Sequence, residues 1–235
     1  NTYEHGISDY AMISVIIPVL NENPRITGLL RYLEKLEGDF ETVVVDGGST
    51  DKSASVSRDY ATVIGSKKGR AIQMNTGARR ARGDILFFLH ADCQPEKRGF
   101  SEIEQIMQNP DVVGGALRYE LDEKSLLYRN HVFWSNLRAR LTGVYLGDHG
   151  IFVRRTVFDK TGGYPIQPLM EDVALCKKLK KHGRLVQAKS KITSSPRRFK
   201  EKGFTRTVLQ MLANRLLYRL GVPAETLVKY YGDVR

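Results

Sequence analysis

Polar and charged side chains recur where apolar runs stop, and that placement is the first chemical clue. Asn21 and Glu22 follow the run Ile13-Ser-Val-Ile-Ile-Pro-Val-Leu20, Asp46 closes a second run and precedes Gly47 and Gly48, and His90 and Asp92 follow a third. Amides and carboxylates at such ends can meet a nucleobase or ribose by hydrogen bonds, and the glycines allow the close backbone approach that a planar base needs. The same residues serve equally as a helix-capping turn at Asn21 and Glu22 or an Asx turn at Asp46. Lys68-Gly69-Arg70 sets a cation and a flexible backbone ahead of a helix, where exposed amides can meet a diphosphate or a base; a solvated loop is the plainer reading. Glu171-Asp172 opens a further helix, a place the macrodipole favours for acids.

These positions need a scaffold, and the apolar pattern supplies one. Ile13–Leu20 is β-branched and continuously apolar, as in a strand buried on both faces of a parallel sheet, and Pro18 is expected to end it. Ile26, Leu29, Leu30, Leu33 and Leu36 then recur at helical spacing up to Gly38. Strands at 40–45, 61–64 and 84–89 alternate with helices after residue 51 and over 71–81. The outcome is an α/β fold with a doubly wound, parallel sheet whose ligand edge lies at the carboxyl ends of the strands. Beyond residue 95 the rhythm loosens: a helix near 100–107, a strand near 112–119, a helix over 126–141, a strand at 151–153, and a charged helix from Glu171 to His182 ending at Gly183.

Bulk composition bounds the class. The 235 residues are 41% hydrophobic and 27% charged, which excludes low-complexity disorder and collagen-like architecture. Two cysteines, Cys93 and Cys176, provide neither a disulfide framework nor a four-thiolate zinc site, and suit a reducing cytosol. The longest charge-free stretch near the start, Tyr10 to Asn21, is too short to span a bilayer. Residues 1–11 lack the layout of a secretory signal and read as an N-terminal extension. The 37 Lys and Arg exceed the 26 Asp and Glu to give +11, so anions are the expected partners.

Five patterns in order resemble the family-2 glycosyltransferases of the GT-A fold: Ile16-Ile-Pro-Val-Leu-Asn-Glu22, Val44-Val-Asp-Gly-Gly-Ser-Thr-Asp51, Gly69-Arg-Ala-Ile-Gln-Met-Asn-Thr-Gly-Ala78, Phe88-Leu-His-Ala-Asp-Cys-Gln-Pro95 and Met170-Glu-Asp172. The resemblance runs over residues 12–200, and Gly69 to Pro95 is similar to a compact subgroup associated in part with arsenosugar biosynthesis. It implies a GT-A, Rossmann-like, mostly parallel central sheet flanked by helices, with residues 201–235 as a C-terminal helical extension on the domain, a dimer partner or a membrane surface.

The resemblance also implies roles. A nucleotide sugar, UDP-linked in the first instance, would be held by Pro18, Asn21, Glu22, Asp46, Gly47, Gly69, Arg70, Met74, Asn75, His90, Ala91 and Asp92. His90-Ala91-Asp92 stands where the family carries Asp-x-Asp, whose last carboxylate binds a divalent metal, Mg²⁺ or Mn²⁺. Asp92 is that carboxylate, and His90 replaces the first acid; direct ligation by an imidazole would shift preference toward Mn²⁺. Asp148, His149 and Glu171 would line the sugar and acceptor pocket, with His149 a further metal candidate. Asp172 would be the general base of an inverting transfer to an acceptor hydroxyl, and Arg197 and Arg198, in Ser195-Pro-Arg-Arg-Phe199, lid cations over the diphosphate.

Past that lid, Phe204, Val208, Leu209, Met211, Leu212, Leu216, Leu217 and Leu220 make an apolar face, with Arg206, Arg215 and Arg219 on the other. The face suits a membrane surface, the core or a homo-oligomer contact. The expected setting is cytoplasmic, with a peripheral place at the inner face of the membrane as the variant. Nucleic acid is not an expected partner of a transferase. The competing class is a nucleotide- or nucleic-acid-binding protein without transfer, prompted by the net charge and the altered Asp-x-Asp. A nucleotidyltransferase needs a Gly-rich loop after the first strand, and Leu20-Asn-Glu-Asn-Pro24 has no glycine.

Overall fold

A computed structural model describes residues 12–231, so the expected extension over 1–11 lies outside the described residues. Its first half is the alternation read from the sequence: β1 (Ile13–Val19), α1 (Arg25–Leu33), β2 (Phe40–Asp46), α2 (Ser53–Ser57), β3 (Thr62–Gly65), α3 (Arg70–Arg80) and β4 (Ile85–Phe88). These strands pair in parallel in the order β3-β2-β1-β4. Strand side chains alternate between faces, so Ile13, Val15 and Ile17 of β1 meet Ile26, Leu29 and Leu30 of α1, while Ile16 meets Met74 and Ala78 of α3. That two-sided burial is why the run is apolar at every position but Ser14, whose hydroxyl is spent on Glu41 at 2.7 Å.

Pro18 does not end β1, which continues through it to Val19. The Ile16 carbonyl accepts from Leu89 on the β4 side, and alternation points the Pro18 nitrogen the same way, one step past the last paired residue, Phe88. The missing N–H falls where the ladder has already stopped.

Helix α3 lies close on β1 and β2 because Gly77 has no side chain. A methyl built there would run into Ile16 and sit 2.9 Å from Val45. Gly77→Ala is expected to lower the melting temperature by about 2–8 °C, because overpacking of about 1–3 kcal/mol outweighs the helix-propensity gain. A thermal melt checks it, and an unchanged or raised midpoint would show that the helix can slide outward freely.

After β4 the sheet changes character. β5 (Cys93–Pro95), α4 (Gly99–Met107), β6 (Val112–Leu121), α5 (Leu126–Thr142), β7 (Ile151–Arg154), α6 (Arg155–Lys160), α7 (Glu171–Leu179) and β8 (Arg184–Ser194) follow, then α8 (Arg197–Lys202), α9 (Phe204–Arg219) and α10 (Ala224–Tyr231). The eight strands form one sheet, β3-β2-β1-β4-β7-β6-β8-β5, with β7 antiparallel to both neighbours, β6 parallel to β8, and β5 antiparallel to β8. The sheet is thus mostly parallel, as expected, with its antiparallel pairs confined to β7 and β5. Helix α7 stops at Leu179, and a turn through Lys181 and His182 carries the chain into β8, so Gly183 is not its cap.

The C-terminal helices pack on α5 and β6 through Tyr119, Leu121, Val132 and Phe199, with Tyr128, Phe204, Val208 and Met211 beside them. Helix α10 adds a second contact, in which Leu227 is buried with Leu169 and Met170. No helix of the described residues is long and apolar enough to cross a membrane.

Candidate functional site

The carboxyl edge of the parallel strands opens into a cavity of about 330 Å³ between that edge and α7, α8 and α9. Its walls carry charge of both signs. Asp92, Asp148, Glu171 and Asp172 face it as acids, with Glu201 among the cations of α8, and Arg70, Arg197, Arg198, Lys202 and Arg215 are the cations. Asp92 follows β4, Asp148 sits in a 3₁₀ turn over Gly147–His149, and Glu171 and Asp172 open α7. Three chain segments far apart in sequence thus bring their carboxylates to one space.

Gly147 joins two of these corners. Its N–H donates to Asp172 Oδ2 at 2.8 Å, and a Cβ there would lie 2.5–2.6 Å from the His90 ring. Asp172 Oδ1 accepts from the Val173 N–H at 2.7 Å, so both carboxylate oxygens are held. Burial raises the Asp172 pKa against these hydrogen bonds and the nearby Arg70 and Arg138 charges. A carboxylate raised from its usual range and fixed in orientation is what a general base requires. Glu171, pushed up to about 7 by burial and then by Asp172, meets Arg70 Nη1 at 3.8 Å. Arg70 itself is the first residue of α3 and a wall of the cavity, so it spans from the strand edge to α7.

Asp148 is raised to about 7 by burial, and then by the charges of Asp172 and Asp92. Its Oδ1 is buried without a hydrogen-bond partner among the described residues. Between the unfolded value of 3.8 and about 7, the folded chain holds a proton that the unfolded chain has lost, so stability falls as pH rises through this window and levels above it. Asp148→Asn is expected to melt several degrees above the parent at about pH 8 and by a clearly smaller margin at about pH 5. Melts at both values check this; an equal gain at both would assign the effect to packing.

One of these carboxylates, Asp92, belongs to a cluster that could hold a divalent cation. Asp92, His90 and Cys93 can place one ligand atom each within 4.8 Å of one another. Cys93 Sγ is 3.7 Å from Asp92 Oδ1. His90 is lowered to about 4 by burial and then by Arg70, so its imidazole is neutral and has a lone pair to offer. Burial, and then the Asp92 and Asp148 charges, push the Cys93 thiol well above its ordinary value, so Asp92 and the neutral His90 imidazole are the ligands that suit a hard divalent cation. Cys93 is the residue missed by sequence reasoning, although it directly follows Asp92.

Other expected residues lie along or beneath the edge and are not in the cavity lining. Asp46 takes N–H bonds from Gly48 and Ser49 at 3.1 Å, so the Asx turn is formed at the end of β2. Asn21, left-handed at φ 55°, accepts from the Thr50 N–H at 2.8 Å and ties the ends of β1 and β2 together. Glu22 pairs with Arg25 at 3.2 Å. Gln73 Nε2 donates to the carbonyls of Val19 and Val45 at 2.8 and 2.9 Å, against Gly47. Pro18 stays within β1, Gly69 caps α3, and Ala91 is buried.

Met74 and Asn75 do not face the cavity. Met74 recurs with Ala71 and Ala78 on the sheet side of α3 and is core, and Asn75 is bonded to both backbone groups of Tyr164, at 2.8 and 2.9 Å. His149 is also displaced from its expected role. Its ring is fully buried, stacked on Tyr119 at 5.1 Å, and lowered to about 3 by burial and Arg138, so it packs beneath the cavity rather than reaching a phosphate or metal. Arg197 and Arg198 do line the cavity. Arg215, expected on the far side of α9 with Arg206 and Arg219, lines it as well.

The Glycosyl transferase family 2 profile matches residues 14–160, more than half of the chain. The chain belongs to this family. It is 30% identical over 161 residues to an undecaprenyl-phosphate 4-deoxy-4-formamido-L-arabinose transferase of Aeromonas hydrophila, covering 63% of this chain and 49% of that protein. It is 27% identical over 176 residues to the glycosyltransferase AglE of Haloferax volcanii, covering 67% and 57%. The chain thus spans about half the length of the relatives it matches. Among solved structures, a mannosyltransferase of Pyrobaculum calidifontis in complex with GDP-Man and Mn²⁺ superposes with a TM-score of 0.66 at 23% identity, covering 80% of this chain and 57% of that one. TarS of S. aureus in complex with UDP-GlcNAc gives 0.62 at 18% identity, covering 78% and 58%. The fold is that of these GT-A proteins.

Proposed function

We propose that this family-2 chain transfers a glycosyl group from a nucleoside diphosphate sugar, UDP-linked in the first instance, to an acceptor hydroxyl with inversion. The observation that carries the reading is the meeting of Asp92 and Asp172 in one cavity, joined through His90 and Gly147. Asp46 and the edge at Asn21 hold the nucleoside. Arg70, with Arg197 and Arg198 of α8, faces the diphosphate, and Asp148 and Glu171 meet sugar or acceptor hydroxyls.

Asp172 accepts the acceptor hydroxyl proton, the oxygen attacks the anomeric carbon opposite the diphosphate, and the bond to the diphosphate breaks with departure of the nucleoside diphosphate. One displacement inverts the centre. Asp92, with His90, would hold a Mg²⁺ or Mn²⁺ ion, and the chemistry such an ion supplies is neutralisation of charge gathering on the leaving group. One of the superposed proteins, the mannosyltransferase, is a complex with Mn²⁺, which supports this reading.

A thermal-shift panel of UDP-, GDP- and other nucleotide sugars, with Mg²⁺ or Mn²⁺, tests the donor class. The expected result is stabilisation by one nucleotide series that needs the metal. Flat responses throughout would remove the reading. The competing binding-only class would instead show nucleotide binding that Asp46→Ala abolishes, with no turnover under any condition.

A further inference from the structure

Helix α9 is apolar on two sides, one packed and one uncovered. Its inward side carries Thr207, Asn214 and Arg215, the first two buried and the third in the cavity wall. Its outward side carries Leu209, Leu212, Leu216 and Leu220, spaced so that they form one stripe, and Leu220 is 72% exposed. The apolar face expected from the sequence is thus split, with Phe204, Val208 and Met211 packed inward and the leucines left uncovered. Arg206 and Arg219 are exposed and flank the stripe.

Helix α5 lies against α9, with Tyr128 and His131 rings 4.9 and 5.8 Å from the Phe204 ring. It too leaves large apolar side chains uncovered, including Leu126, Phe133 and Leu141, together with Trp134, which is 59% exposed and the single tryptophan of the chain. Scattered exposed leucines need no explanation, but a helical stripe beside a second apolar helix surface does. Something covers it.

Charge selects the occupant. Neither α5 nor α9 contains an acidic residue, and between them they carry Arg129, Arg140, Arg206 and Arg219 on the outside. A second copy laid on this face would oppose arginine with arginine. An anionic bilayer offers acyl chains to the leucines and phosphates to the guanidinium groups, and an interfacial level where an indole is favoured. We infer that the outer faces of α9 and α5 form a docking surface for an anionic phospholipid bilayer, with α9 as the shared wall between membrane and cavity. Met211 and Arg215 on its inner side line the cavity, so a docked chain opens its site about one helix diameter, ~10 Å, from the lipid surface.

This goes beyond the transfer reading and needs no turnover, so the two can fail separately. The test mixes the full chain with vesicles of equal parts phosphatidylglycerol and phosphatidylcholine and follows both flotation and Trp134 emission. Expected are co-flotation, a blue shift, quenching by brominated acyl chains, and weaker binding on phosphatidylcholine alone or at high salt. The double variant Leu212→Glu with Leu216→Glu is expected to lose at least about tenfold in vesicle partition. Its melting temperature and circular dichroism should stay close to the parent, since both side chains are exposed. Absence of flotation, or partition unchanged in the double variant, overturns the assignment. So does a lipid-free dimer in sedimentation whose Trp134 emission is already blue and insensitive to vesicles, which would give the face to a second copy.

Discussion

Asp172→Asn is expected to lower turnover by about 10²–10⁴-fold while donor affinity stays nearly unchanged, because the substitution removes the proton acceptor and keeps the side-chain shape. The carboxylate serves two N–H donors, Gly147 on Oδ2 and Val173 on Oδ1. An asparagine has one oxygen and can satisfy only one of them, so a small drop in melting temperature accompanies the loss, of the size set by about 1–3 kcal/mol for an unpaired N–H. Calorimetric donor titration beside initial-rate assays separates the effects. Loss of binding together with turnover would make Asp172 a donor contact; retained turnover would remove it as the base.

Asp92→Ala should abolish the metal-dependent part of donor binding and cost about 10²–10³-fold in turnover, the scale of losing charge stabilisation at a leaving group. The variant is not expected to unfold. Asp92 is one of the charges that raise the Asp148 pKa, so its removal relieves repulsion in the metal-free chain. Its signature is therefore a melting temperature at or above the parent's without ligand, and no further rise when Mn²⁺ and nucleotide sugar are added. An undiminished rise would place the cation elsewhere.

The first four strands and their helices were legible because burial on both faces leaves an unbroken apolar run, as at Ile13–Val19, and the crossover helices repeat with little variation. The antiparallel entry of β7 was not legible. Ile151-Phe-Val153 is apolar in either direction, and only its pairing with Phe87 and Gly115 fixes the sense. Site residues at strand ends were legible for the same reason the strands were. Which helical residues face the cavity was not: Met74 and Asn75 share α3 with Arg70, yet helical rotation turns one into the core and the other to Tyr164. His149 and Asp148 are adjacent, and one residue of 3₁₀ turn separates a buried ring from a cavity wall. The leucines of α9 carry no mark in sequence that tells inward from outward, because the deciding partner is the polar wall they back onto.

Met170 is left-handed, at φ 63°, directly before Glu171 and Asp172. A side chain in that conformation costs about 1–2 kcal/mol, and its burial with Leu169 against Leu227 of α10 is what offsets it. The tail therefore works as a buttress, pressing from behind on the bend that aims the proposed proton acceptor. Trimming Leu227 would slacken that aim from 55 positions downstream in sequence, so the distal helix belongs to the machinery even though it contributes no group to the cavity wall.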